Sequence, residues 1–233
     1  MHKLQALAKE ADLTITNEQA RQFLVYRSLL LEWNEKMNLT GITDPEAINI
    51  KHFIDSLLVL HKDWIPQGAQ VVDVGSGAGF PGLPLAIVRE DLQLTYADSL
   101  KKRLGFLDEV IRKIDIKQNK TVHGRAEDLG RNKIYREQFS VAVARAVASM
   151  DVLLEYTLPF VKPGGCMIAW KGPNATEEIT AAAAAAEKLG ATIGEVYKIE
   201  VLGMERLLER VDKRKPTPAR YPRRPAAIQK KPL

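Results

Sequence analysis

The sequence predicts an α/β fold: a mostly parallel sheet flanked by helices, with a helical cap in front of it. Three observations carry that prediction. From Gln70 onward, short apolar runs alternate with helical stretches, as βα units require. A glycine-rich loop from Gly75 to Gly82 follows the first of those runs, where a strand hands over to a helix. The residues before it show helical rather than alternating periodicity.

The cap comes first. Thr16 and Gln19 have capping-box spacing, and Phe23, Tyr26, Leu30, Trp33 and Met37 then recur at intervals of three and four, predicting one helix with a single buried face. Asn38 to Thr43 reads as a turn. Asp44 as N-cap and Pro45 at the first helical position open a second helix, which carries His52, Asp55 and Ser56. In the sheet region, strands are expected at 70–74, 93–98, 120–123, 140–145 and 166–170, with helices near 83–89, 100–114, 149–160 and 176–189. Ser99 is the expected cap of the 100–114 helix, which aligns Leu100, Leu104, Leu107, Ile111 and Ile114 on one stripe. Strands at about 192–202 and 206–212 bring the sheet to seven. Pro216, Pro218, Pro222 and Pro225 then argue against regular structure in the tail. The chain thus reads as a cap (1–65), a sheet domain (66–212) and a tail (213–233) in one structural unit.

Composition narrows the class. At 233 residues, 45% hydrophobic and 27% charged, the chain can bury a sizeable core, which excludes disorder and fibre. It has no apolar run of membrane-spanning length and no secretory leader pattern, so a cytoplasmic protein is expected. One cysteine, Cys166, and four scattered histidines offer no metal-ligand spacing, so no metal is expected. The net charge of +5 is uneven: residues 213–233 hold eight Lys or Arg and no acid, leaving 26 basic against 29 acidic groups in the rest. Such a tail is either a solvated terminus or an arm for an anionic macromolecule.

The glycine loop implies a nucleotide-like ligand. Gly77, Gly79 and Gly82 fit G-x-G-x-x-G, but the register starts two residues late relative to the strand. Asp73, two residues before Gly75, would welcome a cationic amino-acid moiety and repel a pyrophosphate, favouring S-adenosylmethionine over a dinucleotide. Asp98 ends the next strand at the distance expected of a ribose-binding carboxylate. With the turn Pro163-Gly164-Gly165 before the fifth strand, the pattern resembles the Rossmann-like class I methyltransferase fold. The fourth strand runs into Ala144-Arg145-Ala146-Val147-Ala148, which holds neither an Asn/Asp-Pro-Pro-Tyr motif nor a nucleophilic cysteine; Cys166 is expected in the core. An acceptor with a ready lone pair, such as purine N7, needs no such group. Arg145 is then a positioning candidate, either on the base edge or closing the cofactor pocket.

The ordered set Trp33-Asn34, Asn38-Leu39-Thr40, His52 to Leu57, Asp73 to Gly82, Asp98-Ser99 with Lys102-Arg103, Arg125-Ala126-Glu127, Arg145 to Ala148, Thr217-Pro218 and Tyr221-Pro222-Arg223 resembles the bacterial small-subunit ribosomal RNA guanine-N7 methyltransferases nearly end to end. The resemblance implies methyl transfer from S-adenosylmethionine to N7 of one guanine in a 16S rRNA loop near the decoding region; the expected partner is 16S rRNA or a small-subunit precursor, and the expected state a monomer. The resemblance places cofactor contacts at Gly75, Phe80, Ala126, Glu127 and Arg145, to which the loop and strand-end reading adds Asp73, Gly77 and Asp98. Lys102, Arg103, Arg125, Lys171, Arg220, Arg223 and Arg224 are RNA-binding candidates if the tail folds over the cofactor mouth, and Lys171 is a second positioning candidate. One departure is Trp170 before Lys171, where a smaller aliphatic residue is expected. His52, Asp55 and Ser56 either contact substrate or seat the cap on the glycine loop.

Overall fold

The computed structural model describes residues 2–233. The cap begins with α1 (His2–Glu10), whose Leu4 and Ala8 are buried one turn apart, and α2 (Asn17–Met37). The capping box of α2 forms in both directions: Gln19 N donates to Thr16 Oγ1 at 3.2 Å, and Thr16 N donates to Gln19 Oε1 at 2.9 Å. Phe23, Tyr26 and Leu30 are fully buried, whereas Trp33 and Met37 are only partly so. Asn38, in the left-handed region at φ 47°, ends the helix. Asp44 caps α3 (Pro45–Ile48) through Ala47 N, and the chain passes through a π-helical stretch, Asn49–Ile54, into α4 (Asp55–Leu57). Such π segments often mark functional sites.

The sheet has seven strands: β1 (Gln70–Val74), β2 (Gln93–Asp98), β3 (Asn119–His123), β4 (Phe139–Arg145), β5 (Val161–Lys171), β6 (Ala191–Val201) and β7 (Met204–Lys213). Their order is β3-β2-β1-β4-β5-β7-β6; the first five are parallel, and β7 runs antiparallel to both neighbours. Strand order reverses between β1 and β4, so the crevice at their carboxyl ends is the topological switch point where α/β ligands bind. Connecting helices are α5 (Gly82–Val88), α6 (Lys101–Ile114), α7 (Ala126–Leu129), α8 (Met150–Thr157), α9 (Thr176–Ala181) and α10 (Ala183–Lys188); α11 (Pro225–Lys230) closes the chain. Alternating strand residues build two cores. Val71, Val141, Val143 and Ile168 meet the cap with α5 and α6, while Val72, Val74, Ala142 and Ala169 meet α8 and α10.

Several expectations are corrected. Ser99 does not cap α6: Leu100 holds the cap position, and Asp98 Oδ1 accepts from Leu100 N at 2.8 Å. β5 starts at Val161, because Val161 pairs with Phe139 ahead of a register irregularity. The helix expected at 176–189 breaks at Ala182 into α9 and α10. Trp170 fits β5, nearly buried, with Nε1 donating to Asp55 O at 2.9 Å.

The largest correction concerns the tail, which is a packed strap. Thr217, Tyr221 and Ile228 are buried, and Lys213 has no exposed side-chain surface; its ammonium meets Leu158 O at 2.8 Å and Thr217 Oγ1. Arg136 donates to the carbonyls of Thr217 and Tyr221, and Arg131 to that of Pro222. Arg223 grips the fully buried Glu155 of α8 with two nitrogens, the closest contact 2.6 Å. Arg223→Ala leaves that carboxylate without its counter-charge. Unfolding experiments are expected to show about 3 kcal/mol of lost stability, whereas Arg220→Ala, at an exposed stack on Tyr221, stays within about 0.5 kcal/mol.

Candidate functional site

Two clefts open at the carboxyl ends of the parallel strands. The first, of about 300 Å³, is lined by Val74, Gly75, Asp98, Ala126, Glu127 and Tyr156, among others. Gly75, Gly77 and Gly79 all take positive φ, and a Cβ on Gly75 would lie 3.0 Å from Val147 Cγ2, so the loop passes close to the β4 exit. Asp98, 4% exposed, braces the loop: its Oδ2 accepts from Gly77 N at 2.9 Å, with Arg103 Nη1 at 3.7 Å. Glu127 is also buried and faces the cleft, 3.8 Å from Arg125 Nη1.

Beneath the loop lies Asp73, with no exposed surface. Its Oδ2 accepts from Gly82 N at 2.9 Å, in a fit so close that a Cβ on Gly82 would come within 2.7 Å of that oxygen and of the Tyr96 ring. Asp73 Oδ1 and Ser76 Oγ are buried without a partner. Burial pushes the Asp73 carboxyl up to about 7, against the opposing effects of the Gly82 N–H and Arg145. Two orphaned oxygens under a glycine cradle suit a cationic, hydrogen-bonding ligand group, which is the donor and charge pattern of an amino-acid ammonium.

The second cleft, of about 540 Å³, is walled by His52, Asp55, Arg145, Trp170, Lys171 and Arg206, with Lys51 and Glu205 at its mouth. The two clefts share Ala146, a non-glycine residue held at φ 55°. Arg145 organises this wall. Its Nη1 donates to Asp55 Oδ2 at 2.8 Å and Lys51 O at 3.1 Å, its Nη2 to His52 Nδ1 at 3.2 Å, and its Cζ lies 4.8 Å from the Phe80 ring centre. Arg206 Nε holds the other Asp55 oxygen at 2.5 Å. His52 stacks on Phe80 with centroids 4.4 Å apart, and Tyr26 stacks on the same ring at 5.5 Å while its hydroxyl donates to Ala78 O. Burial and then Arg145 lower the His52 pKa to about 4, so the ring is neutral near pH 7. Its Nδ1 also lies 3.1 Å from Lys51 O, and its Nε2 lies 2.8 Å from Thr40 Oγ1.

Of the residues singled out from the sequence, Gly75, Asp98, Ala126 and Glu127 come together on the first cleft, with Arg103 and Arg125 at its rim. Asp73 and Gly77 lie below and beside it. His52, Asp55 and Phe80 meet Arg145 and seat the cap on the glycine loop, whereas Ser56 Oγ only closes a bond to His52 O within its own helix, at 2.6 Å. Lys102 is exposed at the start of α6. Lys171 Nζ is held by Ala148 O at 3.0 Å and Glu178 Oε1 at 2.9 Å, so it braces the β4–α8 loop. Arg223 is held by Glu155. Arg220 and Arg224 are exposed, but no residue of 214–233 lines either cleft, so the strap does not close over the mouth. Cys166 is a core residue whose thiol burial pushes up to about 11. Arg206 and Tyr156 were not anticipated, while Tyr26 was named only for helical periodicity and Thr40 only as part of the Asn38-Leu39-Thr40 motif. Arg206 meets Asp55 across 151 residues and Tyr26 meets Ala78 across 52, spans that no local pattern encodes.

The comparisons with known proteins agree with this geometry. A family model described as rRNA small subunit methyltransferase G matches residues 19–206. The chain is 46% identical over 223 residues to the ribosomal RNA small subunit methyltransferase G of Clostridium perfringens strain 13, covering 95% of this chain and 93% of that protein. It is 45% identical to that of Alkaliphilus metalliredigens, with 97% and 95% covered. Among solved structures, TYW2 of M. jannaschii in complex with AdoMet superposes with a TM-score of 0.56 at 16% identity, covering 74% of this chain and 79% of that one. A SAM-dependent methyltransferase from Aquifex aeolicus gives 0.54 at 19% identity, with 75% and 96% covered. At these identities the structural matches establish the fold, a Rossmann-like methyltransferase sheet.

Proposed function

Because the chain belongs to the rRNA small subunit methyltransferase G family, we propose that it transfers a methyl group from S-adenosylmethionine to N7 of a guanine in 16S rRNA. The observation that carries this reading is the pair of clefts meeting at Ala146, the first suited to the cofactor and the second to a base. Gly75, Asp98, Ala126 and Glu127 would hold the nucleoside part of the cofactor, with the orphaned Asp73 and Ser76 oxygens near its amino-acid end. When bound, the cofactor supplies an electrophilic sulfonium methyl.

This chain's own residues orient the acceptor and exclude water. Arg145, locked by Asp55, His52 and Lys51 O, forms a rigid wall at the seam. The enclosed groups of the base cleft support an acceptor that needs no deprotonation: His52 is neutral with both ring nitrogens engaged, and both Asp55 oxygens are held by arginines. Guanine N7 carries an accessible lone pair, so its methylation needs neither general base nor covalent nucleophile. Exposed Lys51 and Arg125, which line the two clefts, and Lys101 and Lys102, exposed at the start of α6, suit rRNA phosphates.

The test is methylation of unmodified 16S rRNA or small subunits with labelled cofactor, followed by borohydride reduction and aniline scission, which cut only at N7-methylguanine. A single labelled cut supports the reading; label without a cut would place the methyl elsewhere.

Asp73 adds a pH dependence. A bound ammonium favours the ionised carboxylate, while the free site protonates as pH falls through about 7. Cofactor affinity is therefore expected to weaken about tenfold from pH 8 to pH 6, and Asp73→Asn to flatten that profile. Calorimetry across the range checks it, and equal affinity at both pH values would remove Asp73 from the ammonium's surroundings.

A further inference from the structure

Asp55 holds two arginines, and they are used differently. Arg145 engages both terminal nitrogens: Nη1 on Asp55 Oδ2 and Lys51 O, Nη2 on His52 Nδ1. Arg206 is held by Nε alone, on Asp55 Oδ1, and neither of its terminal nitrogens makes a hydrogen bond among the described residues. Those terminal N–H donors belong to a side chain that is 24% exposed and lines the base cleft. Sheet register and strand alternation fix the face on which it stands. Arg145 at the end of β4 pairs with Trp170 of β5, which pairs with Leu208 of β7; Arg206 is two residues from Leu208 and so shares that face. From this face Trp170 Nε1 reaches Asp55 O and Arg206 Nε reaches the Asp55 side chain, which places both on the cap side of the sheet. Because one carboxylate joins the two guanidinium groups, the free nitrogens of Arg206 lie close to Arg145, whose next residue, Ala146, is the seam between the clefts.

We propose that Arg206 selects guanine by donating from its terminal nitrogens to O6; this rests on the N7 reading above. In guanine, O6 and N7 lie side by side on one edge, and both are acceptors. A base that turns N7 toward the cofactor at the seam therefore presents O6 beside it. N7 must keep its lone pair for the methyl group, so the selecting hydrogen bond falls on O6 alone. An arginine fork already fixed at Nε suits that oxygen, since its donors are charged and their plane is set before the base arrives. Asp55 sets the plane, and it is itself held by Arg145 at its side chain and by Trp170 at its carbonyl. Adenine carries an amino group in place of O6, so the cation meets a donor and gains no acceptor.

The experiment first maps the methylated position with the wild-type protein, then installs 2-aminopurine riboside there by splinted ligation. 2-Aminopurine keeps N7 and the N2 amino group but lacks O6 and the N1 hydrogen. Wild type is expected to prefer guanosine over 2-aminopurine by about 10- to 100-fold in kcat/KM. Arg206→Met is expected to lower transfer to guanosine and to shrink that preference by about tenfold, with cofactor affinity unchanged by calorimetry. Arg206→Lys, which keeps a cation for Asp55 without the paired nitrogens, is expected to shrink it similarly. A residue that only steadied Asp55 would slow both substrates alike, and a preference owed to the N1 hydrogen or to ring electronics would survive both substitutions. A folded variant that keeps the full preference, or a wild-type protein that shows none, therefore overturns the Arg206 assignment while leaving N7 transfer intact. A wild-type product that is not N7-methylguanine overturns the functional reading itself.

Discussion

Arg145→Ala is expected to lower methyl transfer at least 100-fold and to reduce stability by about 2 to 3 kcal/mol. The guanidinium makes three hydrogen bonds and lies over Phe80, at the place where cap, glycine loop and β4 converge. Without it Asp55 keeps only Arg206, His52 Nδ1 loses its donor, and Phe80 loses the cation above its ring. Arg145→Lys should recover little activity, since one ammonium cannot span Asp55, His52 and Lys51 O while stacking on an aromatic face. Kinetics on unmodified small-subunit RNA, beside thermal unfolding, separate the two effects. Near-wild-type turnover in Arg145→Ala would show that the wall it organises does not position the acceptor.

Asp98→Ala should raise the cofactor dissociation constant about 10- to 100-fold. Each carboxylate oxygen already accepts from a backbone amide, Gly77 N at 2.9 Å and Leu100 N at 2.8 Å, so the residue builds the cradle as well as facing the ligand. Asp98→Asn keeps one acceptor and should fall between the two. Calorimetric titration decides it: an unaltered constant for Asp98→Ala would put the ribose elsewhere.

Legibility in the sequence followed the range of the interactions. β1 and β2 were readable to the residue, because parallel strands buried on both faces beyond their first residue leave short, mostly apolar runs bounded by polar turns and, after β1, by glycine. The residues that line the first cleft were readable from their places in the βα pattern: Gly75 follows β1, Asp98 ends β2 and Glu127 lies four residues beyond β3. The base cleft was not. Arg145 meets Asp55 across 90 residues and Arg206 meets it across 151, and no local pattern encodes such pairs. In the strap, four prolines read as breakers, yet Pro225 stands at the start of α11, where its missing N–H costs nothing. The strap's basic charge suggested an arm for phosphates, whereas Arg223 is matched to Glu155, buried 68 residues upstream.

The account rests on the acceptor base lying in the cleft between Ala146 and Arg206. The most direct measurement is photocrosslinking of an RNA carrying 6-thioguanosine at the methylated position, with the attached peptides sequenced. Crosslinks to residues around Lys51, Trp170 to Gly172 and Met204 to Arg206 are the predicted result. Crosslinks confined to the strap at residues 220–224, or to the groove between α1 and α3, would contradict it.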